Sequence, residues 1–371
     1  SAASVRRTRV SRSASLSTGL YARSSGVVGA VAATGSTAWP ATLSAALRLA
    51  VDVPSVRRAA EHFEALTHLP LSKSSLHALI AAYGTPLAQQ EEAEAEALSA
   101  GVEAPPPSPD AETMAVSLDG VMVHLREEGW KETKVAAFSA VTAEQAEGQD
   151  PRVHLERHSY RAGLWEAPAF AKQQYAEGWR RGLECAARVV AVSDGAAWIW
   201  NIVRNCYAPC VEIIDWWHAL QKKLWVIAAV VYGEGTAEAA AWVETLKARL
   251  WAGEVRAVVH EVRQHWPRGQ AMPEALRLAL GYLWHHRQRM RYARFRAAGQ
   301  PVGSGTVESA CKVVVQERAC QAGMRWSRLR LQALLALRCA LLSDRWDATW
   351  SGLTAVKAAQ NPGHTLPGRW A

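Results

Sequence analysis

With 371 residues, 49% hydrophobic and 20% charged, the chain is long enough to bury a large core and suggests two or three structural units. No apolar run approaches the roughly 18 residues needed to span a bilayer, and the longest candidate, LWVIAAVVYG at 224–233, reads as a buried helix. The six cysteines show no paired zinc spacing, so Cys206 and Cys210 of CYAPC read as reduced thiols of a cytosolic protein.

The net charge of +8 is unevenly spread. Between Arg277 and Arg345 there are 13 Lys and Arg against three acids (Glu308, Glu317 and Asp344), an excess larger than that of the whole chain. Such a concentration suits a polyanion site, nucleic acid first, or a solvated basic helix face. Seventeen tryptophans supply core anchors and also candidate stacking platforms for bases.

Residues 1–36 carry five arginines and no acid, and read as a basic flexible tail. Residues 37–100 form a small helical N-terminal domain. Pro54 and Ser55 suit one helix start and Ser72 caps the next, so the pair is either plain packing or a helix-turn-helix that binds DNA. QQEEAEAEAL at 89–98 is an acidic helix, and the Pro-rich stretch at 101–112 is a linker and domain boundary.

Beyond the linker the periodicity shortens. MAVSLDG (114–120), VMVHLR (121–126) and KVAAFSAV (134–141) read as three short strands. Helical sequence at 168–186 precedes a strand, RVVAVSDG (188–195), a helix near 197–204 and a further strand, CVEIID (210–215). From about 237 to 298 every signal is helical. The class is α/β: a mixed sheet with flanking helices at 113–235, an all-helical insertion at 236–300, a last core part at 301–350 and a C-terminal tail at 351–371.

Asp119 and Asp194 each end an apolar strand in Asp-Gly, which suits either a turn or a carboxylate projected into a ligand crevice. Glu308 lies in the first turn of the helix opened by GSGTVESACK (303–312), where an acid also complements the helix dipole. Two sheet aspartates and one helix glutamate make a hard-oxygen site suited to two Mg²⁺ or Mn²⁺ ions about 4 Å apart.

The segments VSLDGVMVHLREEGWKETKVAAF, VSDGAAWIWNI, EIIDWWHALQKKLW, GQPVGSGTVESACKVVVQERACQAGMRW and LALRCALLSDRW together resemble bacterial insertion-sequence transposases of the Kra type, distantly similar to Mutator-like enzymes. The resemblance covers about 114 to 350. It implies an RNase H-like catalytic core, an Asp119–Asp194–Glu308 triad binding Mg²⁺ or Mn²⁺, and cleavage and strand transfer on the element's DNA ends. His218 of DWWH matches a family histidine and reads either as a support or DNA contact near the acids or as a structural residue. Lys312 reads as a supporting phosphate contact beside the metals or as an i,i+4 ion-pair partner of Glu308, and Arg318, Arg325 and Trp326, which continue that helix and its exit, as phosphate contacts. Asp215 competes for the second ligand position, but VSDG matches the second acidic motif of related transposases, which favours Asp194. Trp198 and Trp200 read as core packing over base stacking.

Two departures stand out. RACQ (318–321) replaces the family's usual Arg-Leu-Lys-Gly run, and the chain's first residues lack the cysteine-rich segment common among relatives. The expected partners are DNA and further copies of the chain, as a homodimer or higher oligomer, with no membrane; the expected location is the bacterial cytoplasm. Two rival functions remain: a domesticated or decayed, non-catalytic DNA-binding protein, and an RNase H-like nuclease without strand transfer.

Overall fold

The computed structural model describes residues 39–101, 105–145, 147–217, 221–266 and 269–360. The basic tail at 1–36, His218 and most of the C-terminal tail lie outside the described residues. The chain opens with three helices, α1 (Trp39–Asp52), α2 (Val56–Thr67) and α3 (Lys73–Ser99). Ser72 caps α3 by accepting the Ser75 amide at 3.1 Å. The acidic stretch is no separate helix, because α3 runs through Pro86 for 27 residues.

Five strands follow: β1 (Thr113–Leu125), β2 (Gly129–Glu144), β3 (Arg152–Gly163), β4 (Arg188–Ser193) and β5 (Val211–Ile214). They form one mixed sheet in the order β3-β2-β1-β4-β5. β2 is antiparallel to both β1 and β3, while β4 runs parallel to β1 and β5 parallel to β4. Helices α4 (Ala167–Arg180) and α5 (Ala197–Tyr207) flank β4 in sequence.

Two sequence expectations change here. The runs at 114–120 and 121–126 are one strand: Gly120 pairs with Lys134 in an unbroken ladder and makes no turn. A Cβ at Gly120 would overlap the Glu132 side chain, so the glycine makes room for a cross-strand neighbour. β3 was not anticipated, because Arg152–Arg157 is polar and largely exposed and only the stretch from Ser159 to Gly163 is buried.

Side chains alternate across β1 with the two-residue period of a strand, and each face meets its own core. Met114, Val116 and Leu118 join Phe138, β4, β5 and the insertion helices. Val121, Val123 and Leu125 join Val135, the N-terminal helices and the helix α12 (Arg328–Leu342). The N-terminal helices therefore share a core with the sheet, and the Pro-rich stretch does not separate two cores. The second helix of the helix-turn-helix reading, α3, buries Leu76, Ile80, Tyr83 and Leu87 in that core.

After β5 the described chain is helical: α6 (Gln221–Tyr232), α7 (Ala237–Trp251), α8 (Val255–His265), α9 (Glu274–His285) and α10 (Tyr292–Ala297). It returns to the sheet through Val302 and Gly303 into α11 (Gly305–Ala310), a π-helical stretch Cys311–Gln316 and one more turn, Glu317–Ala319. α12 and α13 (Trp346–Gln360) complete the fold, so the segment read as a tail from 351 is helical to 360.

α3 crosses α12 at Gly84, where a Cβ would overlap the backbone carbonyl oxygen of Ala333. Two effects oppose each other in Gly84→Ala: helix propensity favours alanine by about 1 kcal/mol, whereas overpacking costs about 1–3 kcal/mol. The obstacle is backbone and cannot swing aside, so the clash wins. Urea denaturation of Gly84→Ala is expected to show lower stability than wild type; an equal or higher midpoint would contradict this crossing.

Candidate active site

β1 pairs with β2 along its whole length but with β4 only over Thr113–Val116, where the partners are 75 residues apart (Thr113 with Arg188, Val116 with Ala191). Ser193 extends the contact by accepting the Leu118 amide on its Oγ at 2.9 Å. Asp119 and Asp194 are also 75 apart, so this register, continued past its last paired residues, runs from Asp119 to Asp194, the first residue after β4. Asp119 is thus not at a strand end, as its Asp-Gly suggested. It lies mid-strand, beside the end of its parallel neighbour.

Each aspartate is held by its own backbone. Asp119 Oδ1 accepts the Gly120 amide at 2.7 Å, and Asp194 Oδ1 accepts the Ala196 amide at 2.8 Å as the chain turns into α5. Trp200 Nε1 donates to the Asp194 carbonyl at 2.8 Å, so this buried indole fixes the turn rather than stacking on a base. Trp198 is partly buried and packs edge-on against Phe170 at 5.9 Å. Tyr282 of α9 lies over Gly195, where any Cβ would overlap its ring, and so brings the helical insertion up to the Asp194 turn.

Glu308 is exposed on α11, and one helical turn later Cys311 Sγ donates to Asp119 Oδ2 at 3.7 Å. Burial, with the charges of Asp119 and Glu308 behind it, pushes the Cys311 thiol well above its ordinary range. A neutral thiol donor therefore seats the Glu308 helix on Asp119. Glu308 also falls just before the π-helical stretch, a distortion often found at functional sites.

Asp215, next after β5, is only 1% exposed. Its Oδ1 accepts the Ser304 amide at 2.9 Å and the Trp217 amide at 3.3 Å. The Trp216 amide donates to the Val302 carbonyl at 3.0 Å. Gly303 sits against Trp217, with space for a Cβ only 3.1 Å from the indole Cδ1. Asp215 therefore clamps the loop that launches α11. Sequence alone missed this clamp and the Cys311 contact. The i,i+3 spacing of Glu308 and Cys311 was visible, but their docking partner was not.

Among the expected DNA contacts, Lys312 and Arg325 are exposed. Arg318 and Trp326 are not available in that way, being only 1% and 7% exposed. Arg318 donates through Nη2 and Nε to the Ala50 carbonyl at 2.9 and 3.2 Å, and Trp326 Nε1 donates to the Ala319 carbonyl at 3.0 Å. Both side chains instead fasten α1 and the end of the Glu308 segment. Burial, then the neighbouring Arg338, lowers the Arg318 pKa to about 10, so it stays charged at neutral pH.

The donors fit a hard divalent cation in kind: carboxylate oxygens of Asp119, Asp194 and Glu308. They are not gathered into a ligand set, since no group of three or more His, Cys, Asp or Glu among the described residues is placed to hold a metal. Cys206 and Cys210 are free, and burial raises their thiols to about 11 and 12, away from thiolate ligand chemistry. No helix among the described residues is long and apolar enough to cross a membrane. No protein-family model matches the chain, and no curated protein matches it.

The clamp separates the two aspartates after β4 and β5. Asp215→Ala is expected to lower unfolding free energy by about 1–3 kcal/mol through the unsatisfied Ser304 amide. Asp215→Asn keeps an acceptor and is expected to stay within about 1 kcal/mol of wild type. Equal losses in chemical denaturation would contradict the clamp.

Proposed function

We propose that the protein is a metal-dependent DNA transposase of the DDE type, cleaving element ends and joining them to target DNA. The observations that support this reading are the parallel pairing of β1 with β4, which ends one residue before Asp194, and the Cys311 thiol of the Glu308 segment on Asp119. Strand order β3-β2-β1-β4-β5, with β4 and β5 parallel to β1, supports an RNase H-like core interrupted by the helical insertion.

In this reading Asp119, Asp194 and Glu308 hold two Mg²⁺ or Mn²⁺ ions. When bound, the ions polarise the scissile phosphate and favour ionisation of water or a 3′-hydroxyl. Asp119 and Asp194 keep one carboxylate oxygen each on a backbone amide, and the other oxygen of Asp119 accepts the Cys311 thiol. Asp215 holds the Glu308 helix in place and binds no ion. Lys312, one turn beyond Glu308 and exposed, meets a phosphate. No covalent protein–DNA bond forms, because water and the DNA's own hydroxyl are the nucleophiles. Pairing two ends calls for at least a dimer, and the bacterial cytoplasm, at the nucleoid, is the matching location.

A second reading has its own observation. The three carboxylates are not gathered into a metal-ligand group, as befits a protein that binds DNA without cutting it. One assay separates these readings: duplex DNA flanking the coding sequence is incubated with a target plasmid in Mg²⁺. The transposase is expected to give strand-transfer products that Asp194→Asn reduces by about 10²–10³-fold or more with the fold intact. Cutting without joining would point to a nuclease, and binding without metal-dependent cutting to the non-catalytic protein.

A further inference from the structure

Seven residues beyond Asp119, β1 ends in a turn that gathers basic side chains from three distant segments. Arg126, in the turn after β1, donates from Nε to the Arg325 carbonyl at 3.1 Å, and its amide bonds the Trp326 carbonyl at 2.9 Å. Trp326 returns its amide to the His124 carbonyl at 3.2 Å. Arg328 clasps Glu128 of the same turn with two hydrogen bonds of 2.9 and 2.7 Å. The turn is thereby riveted to the start of α12. The first turns of α3 complete the group. His77 lies within the field of Arg330, Arg318, Lys73 and Arg126, and burial followed by those cations lowers its pKa to about 4.

Lys73, Arg126, Arg325 and Arg330 are all exposed, and none forms an ion pair among the described residues. Of the turn's two acids, Glu128 is taken by Arg328, and Glu127 is exposed. Arg318 lies buried nearby and is itself without an acidic partner among the described residues. Gathering like charges without counter-charge disfavours the folded state, so an external anion is the natural neutralising partner. The patch is spread over several side chains held by backbone bonds, which suits a rigid polyanion better than one small phosphate.

We propose that this surface, made of Lys73, Arg126, Arg325 and Arg330, grips the backbone of the duplex DNA whose phosphodiester lies at Asp119 and Asp194. The inference rests on the proposed function for the position of the cut. Seven residues of strand span about 23 Å at roughly 3.3 Å each. For a duplex axis running along β1, at about 3.4 Å per base pair, the grip falls about seven base pairs to one side of the scissile phosphate. It also gives Arg318 a place in DNA binding: it adds positive potential from below the surface and touches no phosphate.

The test uses the full chain, a 30-base-pair duplex, fluorescence anisotropy over a salt series, and no divalent metal, so that binding is read apart from cutting. The triple variant K73E/R126E/R330E is expected to bind about 100-fold more weakly at 0.1 M salt. The slope of log affinity against log salt is expected to flatten by about 2 to 3. A charge-matched control, R256E/R263E/R294E, alters exposed arginines of the insertion and is expected to retain wild-type affinity. Thermal melts check that both variants fold. Equal loss in the control, unchanged affinity in the folded triple variant, or equal binding of single-stranded DNA overturns the inference. If wild type cuts in Mg²⁺ and the triple variant binds as tightly, the surface is wrong and the function stands. If only the triple variant loses duplex binding and wild type never cuts, the surface stands and the transposase reading falls.

Discussion

The unequal lengths of β1 and β4 govern the rest of the structure. β1 keeps an antiparallel partner through all of Thr113–Leu125, but β4 accompanies it for only four paired residues and one serine contact. Past that point one edge of β1 has no strand beside it. Its backbone is steadied by β2, while its side chains meet a helix on the side of Val121 and Val123. Asp119 is the first residue of this open stretch, and Asp194 begins the chain's departure from the sheet. The mismatch in pairing thus leaves an open shelf along β1 that begins at Asp119. The returning α11 segment packs against that shelf.

The shelf is supported from both faces of the sheet. On one face the insertion is bound in by Tyr282 over Gly195 and by Tyr292, whose hydroxyl donates to the Ile214 carbonyl at 3.0 Å. On the other face α12 carries buried cations that serve as backbone fasteners. Arg338 donates to the Val313 carbonyl at 2.8 Å and to the Val51 carbonyl at 2.8 Å, linking the Glu308 segment to α1. Arg318 makes a similar bond to Ala50. Truncating either would leave buried carbonyls unpaired, at about 1–3 kcal/mol each. The N-terminal helices thereby bear directly on the position of Glu308.

Local chemistry was legible wherever it governed the outcome. Apolar runs marked β1, β2, β4 and β5, Ser72 marked the start of α3, and the long polar–apolar helical pattern marked the insertion. The errors arose where a tertiary neighbour decided. Gly120 looked like a turn, but its lack of a side chain admits Glu132. Arg318 and Trp326 looked like surface contacts because their types are common at DNA, yet Ala50 and Ala319 carbonyls claim them. β3 escaped notice because half of it is polar and exposed. Within the site, the two aspartates and Glu308 were visible as residues. The register of 75 and the Asp215 clamp depend on contacts between segments far apart in the chain.

Shared metal at Asp119, Asp194 and Glu308 can be read directly from cleavage of the polypeptide. Replacing Mg²⁺ with Fe²⁺ and adding ascorbate and peroxide generates hydroxyl radicals at the ion, which cut the polypeptide within a few ångströms. Fragments are expected to end near residues 119, 194 and 308 together, all suppressed by excess Mg²⁺ and all lost in Asp119→Asn. Cuts that avoid these three positions, or that persist unchanged in excess Mg²⁺ and in the variant, would contradict a shared metal site.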